Sequence, residues 1–467
     1  MKKLVFCLLI VILTIGCGKQ DNQSDGMNNN PIPVSFWHWS GERVITSEEQ
    51  KILEDLGTTN IFVFRGLITE NAKGLQFAAR GGKVTVHQGI KSHIVFRIDP
   101  ALASRLVENN EDISAFIASQ FKNYPASKGL QLDCDTPTSK ISKYATFLKN
   151  LRLQLPEGTE LSVTMLLDWL NSKALKELMN AVDFIIPQFY TTELPESVEC
   201  NSLVFGGNIK SAIETLERYD RPYMIGLPTF RRSAIFDSSG KLMVASASLS
   251  ESEAITQGGT LKRHFQGNDE NVIVFEMPDN KTVLIGRPGV KGLAARIQEV
   301  RSANGGHCVG ICFYRLPCPG ETDIMSFPLI NAAIGNTIRS VDIKAELRQN
   351  HSYMTLLLSN ASDEDFIDFQ VPATIKVSAG NGKVSSVQYV PGTEIWNLEP
   401  SFNGLLCAPH RANGVNISCP LLLAGQTLKI TGLTLDMDST DENSAVEAVI
   451  SYQGRSRTIE VINEKRD

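Results

Sequence analysis

The chain has 467 residues and a formal net charge of −6, with 51 acidic side chains against 45 basic ones. No Lys/Arg patch stands out, so the sequence lacks the electrostatic footprint of a nucleic-acid binder. Its nine cysteines show no CxxC or His-rich spacing, so the spacing indicates no metal site, disulfide framework or cofactor motif. Pairing of Cys407 with Cys419 across a loop stays open.

The chain opens Met1-Lys2-Lys3, runs apolar from Leu4 to Ile15, and reaches Gly16-Cys17. A short basic segment followed by about 12 apolar residues reads as a secretory signal and is too short for a membrane span. Leu13-Thr14-Ile15-Gly16-Cys17 has the form of a bacterial lipobox, with Thr14 where that motif favours Leu. The reading is a signal peptide over 1–16, cleavage before Cys17 and lipidation of its thiol. A polar tether follows to residue 32. Gly18 stands where Asp often marks inner-membrane retention. The expected location is therefore the bacterial cell envelope, lipid-anchored at the outer membrane, with the membrane as a partner.

The roughly 435 residues beyond the tether exceed one hydrophobic core. Over 33–335 a short apolar run repeatedly gives way to a helical pattern. The runs are Pro33–Trp39, Asn60–Arg65, His93–Ile98, Gly129–Asp135, Leu161–Leu166, Val182–Tyr190, Pro222–Pro228 and His307–Tyr314. Thr46-Ser47-Glu48-Glu49 opens one helix with a capping box. Eight strands alternating with helices predict an α/β fold, a (β/α)8 TIM barrel. No GxGxxG follows the first strand, which disfavours a doubly wound sheet. Residues 232–287 form an excursion between strands seven and eight, with hairpin strands expected at Lys241–Ala245, Val272–Met277 and Thr282–Ile285. From residue 340 to 467 the helical period vanishes, and short alternating segments predict an all-β, sandwich-like domain.

Barrel enzymes work at the C-terminal ends of their strands. The most informative such end is Gly129-Leu-Gln-Leu-Asp-Cys-Asp-Thr-Pro137. Alternation puts Gln131, Asp133 and Asp135 on one face of the strand. Two same-face carboxylates on an apolar strand are costly to bury without a task. The other strand ends contribute Trp37 and Trp39, Arg65, Arg97, Asp168 and Trp169, Gln188 and Tyr190, Arg231, and Tyr314. Aromatic platforms beside paired carboxyls suit a glycan, because rings stack on sugar faces and carboxyls supply acid and base. The same Asp residues would equally suit ion pairs with Arg97 or Arg65 that merely hold the barrel together.

Lys128–Pro137 resembles the fourth-strand signature of glycoside hydrolase family 18, the chitinase-like barrels, whose pattern reads DGxDxDxEyP. Val182–Tyr190 resembles that family's sixth strand, and Gly310–Tyr314 its last. The resemblance implies Asp135 as general acid, Asp133 as orienting or stabilising group, Tyr190 as hydrogen-bond donor to developing charge, and Tyr314 as floor of the sugar site. The chain departs from the pattern: Asp135 is one methylene shorter than the family's Glu, and Gln131 and Lys128 replace acidic positions. A tighter match is to bacterial proteins of the domain-of-unknown-function family 3142. It rests on Gln131–Asp135, Tyr144–Pro156 and Leu161–Leu170, and that family brings no activity with it. Three functions remain open at this stage: a membrane-anchored glycoside hydrolase, a carbohydrate-binding lipoprotein on a degenerate barrel, and a scaffold working through its β domain.

Overall fold

The computed structural model describes residues 32–463, apart from 86–88, 104, 106–110, 192, 248, 268–269, 304, 319–320, 322, 351–352, 369, 380–381, 388–395 and 437–445. Cys17 and the expected signal and tether, and residues 388–390 and 445 of the expected β strands, lie outside the described residues. Ile32–Asp467 forms one compact unit.

Eight parallel strands close on themselves. They are β1 (Val34–His38), β2 (Thr58–Asn71), β3 (Lys91–Ile98), β4 (Gly129–Asp133), β5 (Glu160–Met165), β6 (Phe184–Pro187), β7 (Tyr223–Pro228) and β8 (Cys308–Tyr314). Each pairs with its sequence neighbour, and β1 pairs in parallel with both β8 and β2. The TIM-barrel reading therefore holds. Outward side chains such as Phe36, Ile61, Val63, Leu130 and Leu132 join the helices in one core. Inward ones (Trp37, Phe62, Val95, Phe184, Ile186, Met224 and Cys312) fill the barrel itself. A period of two on each strand produces both layers.

The helices follow from their own patterns. Ile141–Arg152 buries Ile141, Tyr144, Ala145, Leu148 and Leu151, spaced at three, four and seven residues. Ser47–Asp55 starts as the capping box demands: Glu49 N–H donates to Thr46 Oγ1 at 3.2 Å, and Thr46 N–H donates to the Glu49 carboxylate at 3.0 Å.

The excursion after β7 is a five-stranded antiparallel sheet, Arg232–Phe236, Leu242–Ala247, Thr260–Gln266, Glu270–Glu276 and Thr282–Pro288. It includes the expected hairpin strands and two strands the pattern had not shown. From Ile343 onward, five- and six-stranded sheets enclose a separate apolar core. Leu421 of this region packs among Ile273, Phe275, Val283 and Ile285 of the excursion sheet. Arg287 pairs with Asp365 at 3.5 Å, and Asn271 donates to Asp365 at 3.1 Å. The β region thus braces the sheet that rises beside the barrel mouth. Cys407 and Cys419 are both free thiols, which closes the pairing question; the Cys419 thiol donates to the Leu421 carbonyl at 3.4 Å.

Candidate active site at the barrel mouth

The pleat of β4 sends Leu132 and Cys134 to the helix layer and Gln131 and Asp133 into the barrel. Deepest is Trp37, 1% exposed, whose indole N–H donates to Gln131 Oε1 at 2.7 Å. Gln131 in turn donates to Ser162 Oγ at 3.3 Å. With both ends of its amide engaged, Gln131 holds the Trp37 ring rather than a ligand. The ring fits because β7 carries Gly226: a Cβ there would lie 3.0 Å from the indole and 2.9 Å from the Pro187 carbonyl oxygen.

Above this floor opens a cavity of about 170 Å³ lined by Trp37, Trp39, Arg97, Asp133, Asp135, Thr164, Gln188, Tyr190 and Tyr314. Buried Asp133 accepts from Thr164 Oγ1 at 2.7 Å and faces Arg97 Nε at 3.6 Å. Burial drives its pKa above the ordinary carboxylate value and neighbouring Asp135 adds to this, while Arg97 and the Thr164 hydrogen bond pull the other way. Asp135 sits at the rim with its side chain 39% exposed, 3.4 Å from Arg97 Nη2. One guanidinium therefore bridges two carboxylates of unlike surroundings. Burial holds the Tyr190 hydroxyl well above its usual pKa and pushes Tyr314 up to about 12, so both remain neutral donors.

The rings form a wall. Trp39 stacks on Phe64 at 4.7 Å and meets Tyr314 edge-on at 5.7 Å. Tyr190 lies 5.9 Å from Tyr314, and Phe230 meets both edge-on at 5.7 and 5.5 Å. Phe230 was not singled out from the sequence, because it lies beyond β7 with no pattern to mark it. Thr164 was also missed, although Leu161-Ser-Val-Thr-Met165 alternates as a half-polar strand and could have exposed it.

Four expected residues lie away from the cavity. Arg65 falls on the outward parity of β2, donates to the Gly82 carbonyl and lies 5.0 Å over the Tyr124 ring. Trp169 is fully buried in the helix layer, its N–H donating to the Thr136 carbonyl at 2.9 Å. Asp168 is exposed on the short turn Leu167–Asn171. Arg231 pairs with buried Glu251 at 3.4 Å and fastens the excursion. Strand-end position placed these residues near the mouth, but side-chain direction took them out of it. Among the described residues no cluster of His, Cys, Asp and Glu could hold a metal ion.

Fold and site together define a closed (β/α)8 barrel whose mouth holds a carboxylate pair under an aromatic wall. Residues 91–319, from β3 past β8, match the family model described as Domain of unknown function (DUF3142). No curated protein matches the sequence. Solved structures of similar fold include the Bacillus cereus spore cortex-lytic enzyme SleL, at 13% identity and TM-score 0.45 over 65% of this chain and 74% of that one. A chitinase from Chromobacterium violaceum gives 13% and 0.45, covering 65% and 98%. The family 18 chitinase ChiB of Flavobacterium johnsoniae gives 17% and 0.42, covering 66% and 94%. These are distant likenesses of fold.

Proposed function

We propose that the barrel mouth binds a glycan and hydrolyses a glycosidic bond in it, with Asp135 as general acid. The carrying observation is the pairing of a buried and a rim carboxylate beneath Trp39, Tyr190 and Tyr314. Asp135 is the group exposed enough to present a proton to a bridging oxygen. Asp133, whose burial favours the protonated form, is placed to hold a proton beside it. The rings offer stacking faces, and the neutral Tyr190 hydroxyl is a donor for charge that develops at the sugar. As the glycosidic bond breaks, the Asp135 proton goes to the leaving oxygen; water then supplies the new hydroxyl at the anomeric carbon and its remaining proton returns to the Asp135 carboxylate.

A second reading, a glycan receptor without turnover, is favoured by one observation: Asp135 is held in an ion pair with Arg97 at 3.4 Å. Glycan-array binding run beside a reducing-sugar release assay separates the two. Release that falls at least a hundredfold in Asp135→Asn, with binding retained, supports the hydrolase. Binding without release in the parent protein supports the receptor.

The same proposal places the protein in the bacterial envelope, acylated at Cys17 and held at the outer membrane by that lipid.

A further inference from the structure

The mouth cavity is walled all round the barrel axis. Phe64 of β2 stacks on Trp39, which follows β1, and Trp39 meets Tyr314 of β8 at 5.7 Å. Tyr314 touches Phe230, beyond β7, at 5.5 Å, and Phe230 touches Tyr190, beyond β6, at 5.7 Å. On the opposite side Arg97 of β3 reaches Asp133 of β4 at 3.6 Å, and Asp133 accepts from Thr164 of β5 at 2.7 Å. Backbone closes the two remaining seams. The Gln188 N–H donates to the Met165 carbonyl at 3.0 Å between β6 and β5. The ladder between β2 and β3 runs past Arg97 to Ile68 and Ile98. Trp37, 1% exposed, is the floor. The described residues thus form a blind pocket rather than a groove across the barrel.

Size limits what enters. The cavity measures about 170 Å³. Pockets for drug-sized ligands run from about 300 Å³ upward, whereas a cavity of about 150 Å³ holds a single benzene ring. One pyranose ring therefore fits, and two linked rings do not. A glycan that passed through the site would need a second opening in the wall. A glycan that enters by its end needs only the mouth.

The two carboxylates decide which end it is. Asp135 stands at the rim, its side chain 39% exposed, so an oxygen that it protonates lies at the rim too. Asp133 and Thr164, both buried, lie deeper in the cavity. These deeper groups face the sugar inside, so the reacting anomeric carbon belongs to that ring and the leaving oxygen to the chain outside. A terminal ring joined to its chain through the anomeric carbon is the nonreducing end.

We propose that the pocket takes the nonreducing terminal sugar of a glycan and that hydrolysis releases it as a monosaccharide. This rests on the hydrolase reading above. The bond between the anomeric carbon and the bridging oxygen breaks, and that oxygen leaves on the shortened chain with the Asp135 proton. Water gives its hydroxyl to the anomeric carbon and its other proton to the Asp135 carboxylate.

The test is a time course on linear pentasaccharides of glucose, N-acetylglucosamine, galactose and mannose, in α and β linkage, each labelled with a fluorophore at its reducing end. The first products should be labelled tetrasaccharide and free monosaccharide, with labelled trisaccharide only later. A benzylidene acetal closing the nonreducing sugar is too bulky for the pocket. It should slow cleavage about a hundredfold and weaken binding about tenfold. Labelled disaccharide or trisaccharide among the first products, or a blocked chain cut as fast as the free one, overturns the inference and leaves the hydrolase standing. If no chain is cut, the hydrolase reading falls and the release with it. Tighter binding of the free chain than of the blocked one would then still assign the pocket to one terminal sugar, and equal binding would overturn that as well.

Discussion

At the lower end of the barrel, His93 is fully buried, its ring 4.8 Å from Phe62 and its Nε2 3.2 Å from Asn60 Oδ1. Gly129 beside it leaves the room: a Cβ there would lie 2.6 Å from His93 Nδ1. Burial chiefly, with Lys91 and Lys128 adding to it, lowers the His93 pKa to about 4. The unfolded chain binds that proton near pH 6.5. The neutral ring therefore stabilises the fold fully above pH 6.5, and this is lost as pH falls from 6.5 toward 4. The loss is worth roughly 2–3 kcal/mol by pH 4.5. Urea unfolding of the parent and of His93→Gln at pH 7 and pH 4.5 checks this. The parent should lose that much more stability than the variant; equal losses would contradict the assignment. Asp133 at the mouth obeys the same logic with the opposite sign: burial raises its pKa, so its charging opposes folding as pH rises.

At the scale of elements, the excursion sheet is fixed to the barrel by a buried carboxylate. Glu270 accepts from the backbone N–H groups of Leu203 at 3.0 Å, Val204 at 3.0 Å and Phe205 at 3.3 Å, and from Ser202 Oγ at 2.5 Å. Burial raises its pKa and these donors oppose the shift. The donors lie on the loop after β6, so one side chain ties that loop to the sheet inserted after β7. Glu270→Ala leaves buried amides without an acceptor and should cost about 3 kcal/mol or more. Chemical denaturation measures the cost. Limited proteolysis should show cleavage opening within 192–204 ahead of the barrel strands. The sequence shows Glu270 only as one acid in a polar stretch, because its partners lie 65 to 68 positions away.

At the scale of the whole molecule, barrel, excursion sheet and β region form a continuous chain of contacts. A lipid on Cys17, as proposed, would set where the molecule works. If Cys17 carries the anchor, Cys17→Ser should abolish incorporation of labelled palmitate and release the protein from the membrane fraction with its melting temperature unchanged. Palmitate incorporation that survives the substitution would remove the anchor from the account.

Much of this was legible in the sequence because it depends on local period. Alternation set the shared parity of Gln131 and Asp133, and short apolar runs marked all eight strands. The fold follows from those eight strands and the helices between them. The resemblance in Lys128–Pro137 pointed to the site before any geometry. Tertiary structure decided what distance along the chain conceals. Arg97 meets both Asp133 and Asp135 from the neighbouring strand, and Gln131 is committed to Trp37, 94 positions away. Arg65 and Trp169, strand-end residues by sequence, turn into the helix layer. Period determines which face a side chain takes, but only the closed barrel determines which neighbours occupy that face.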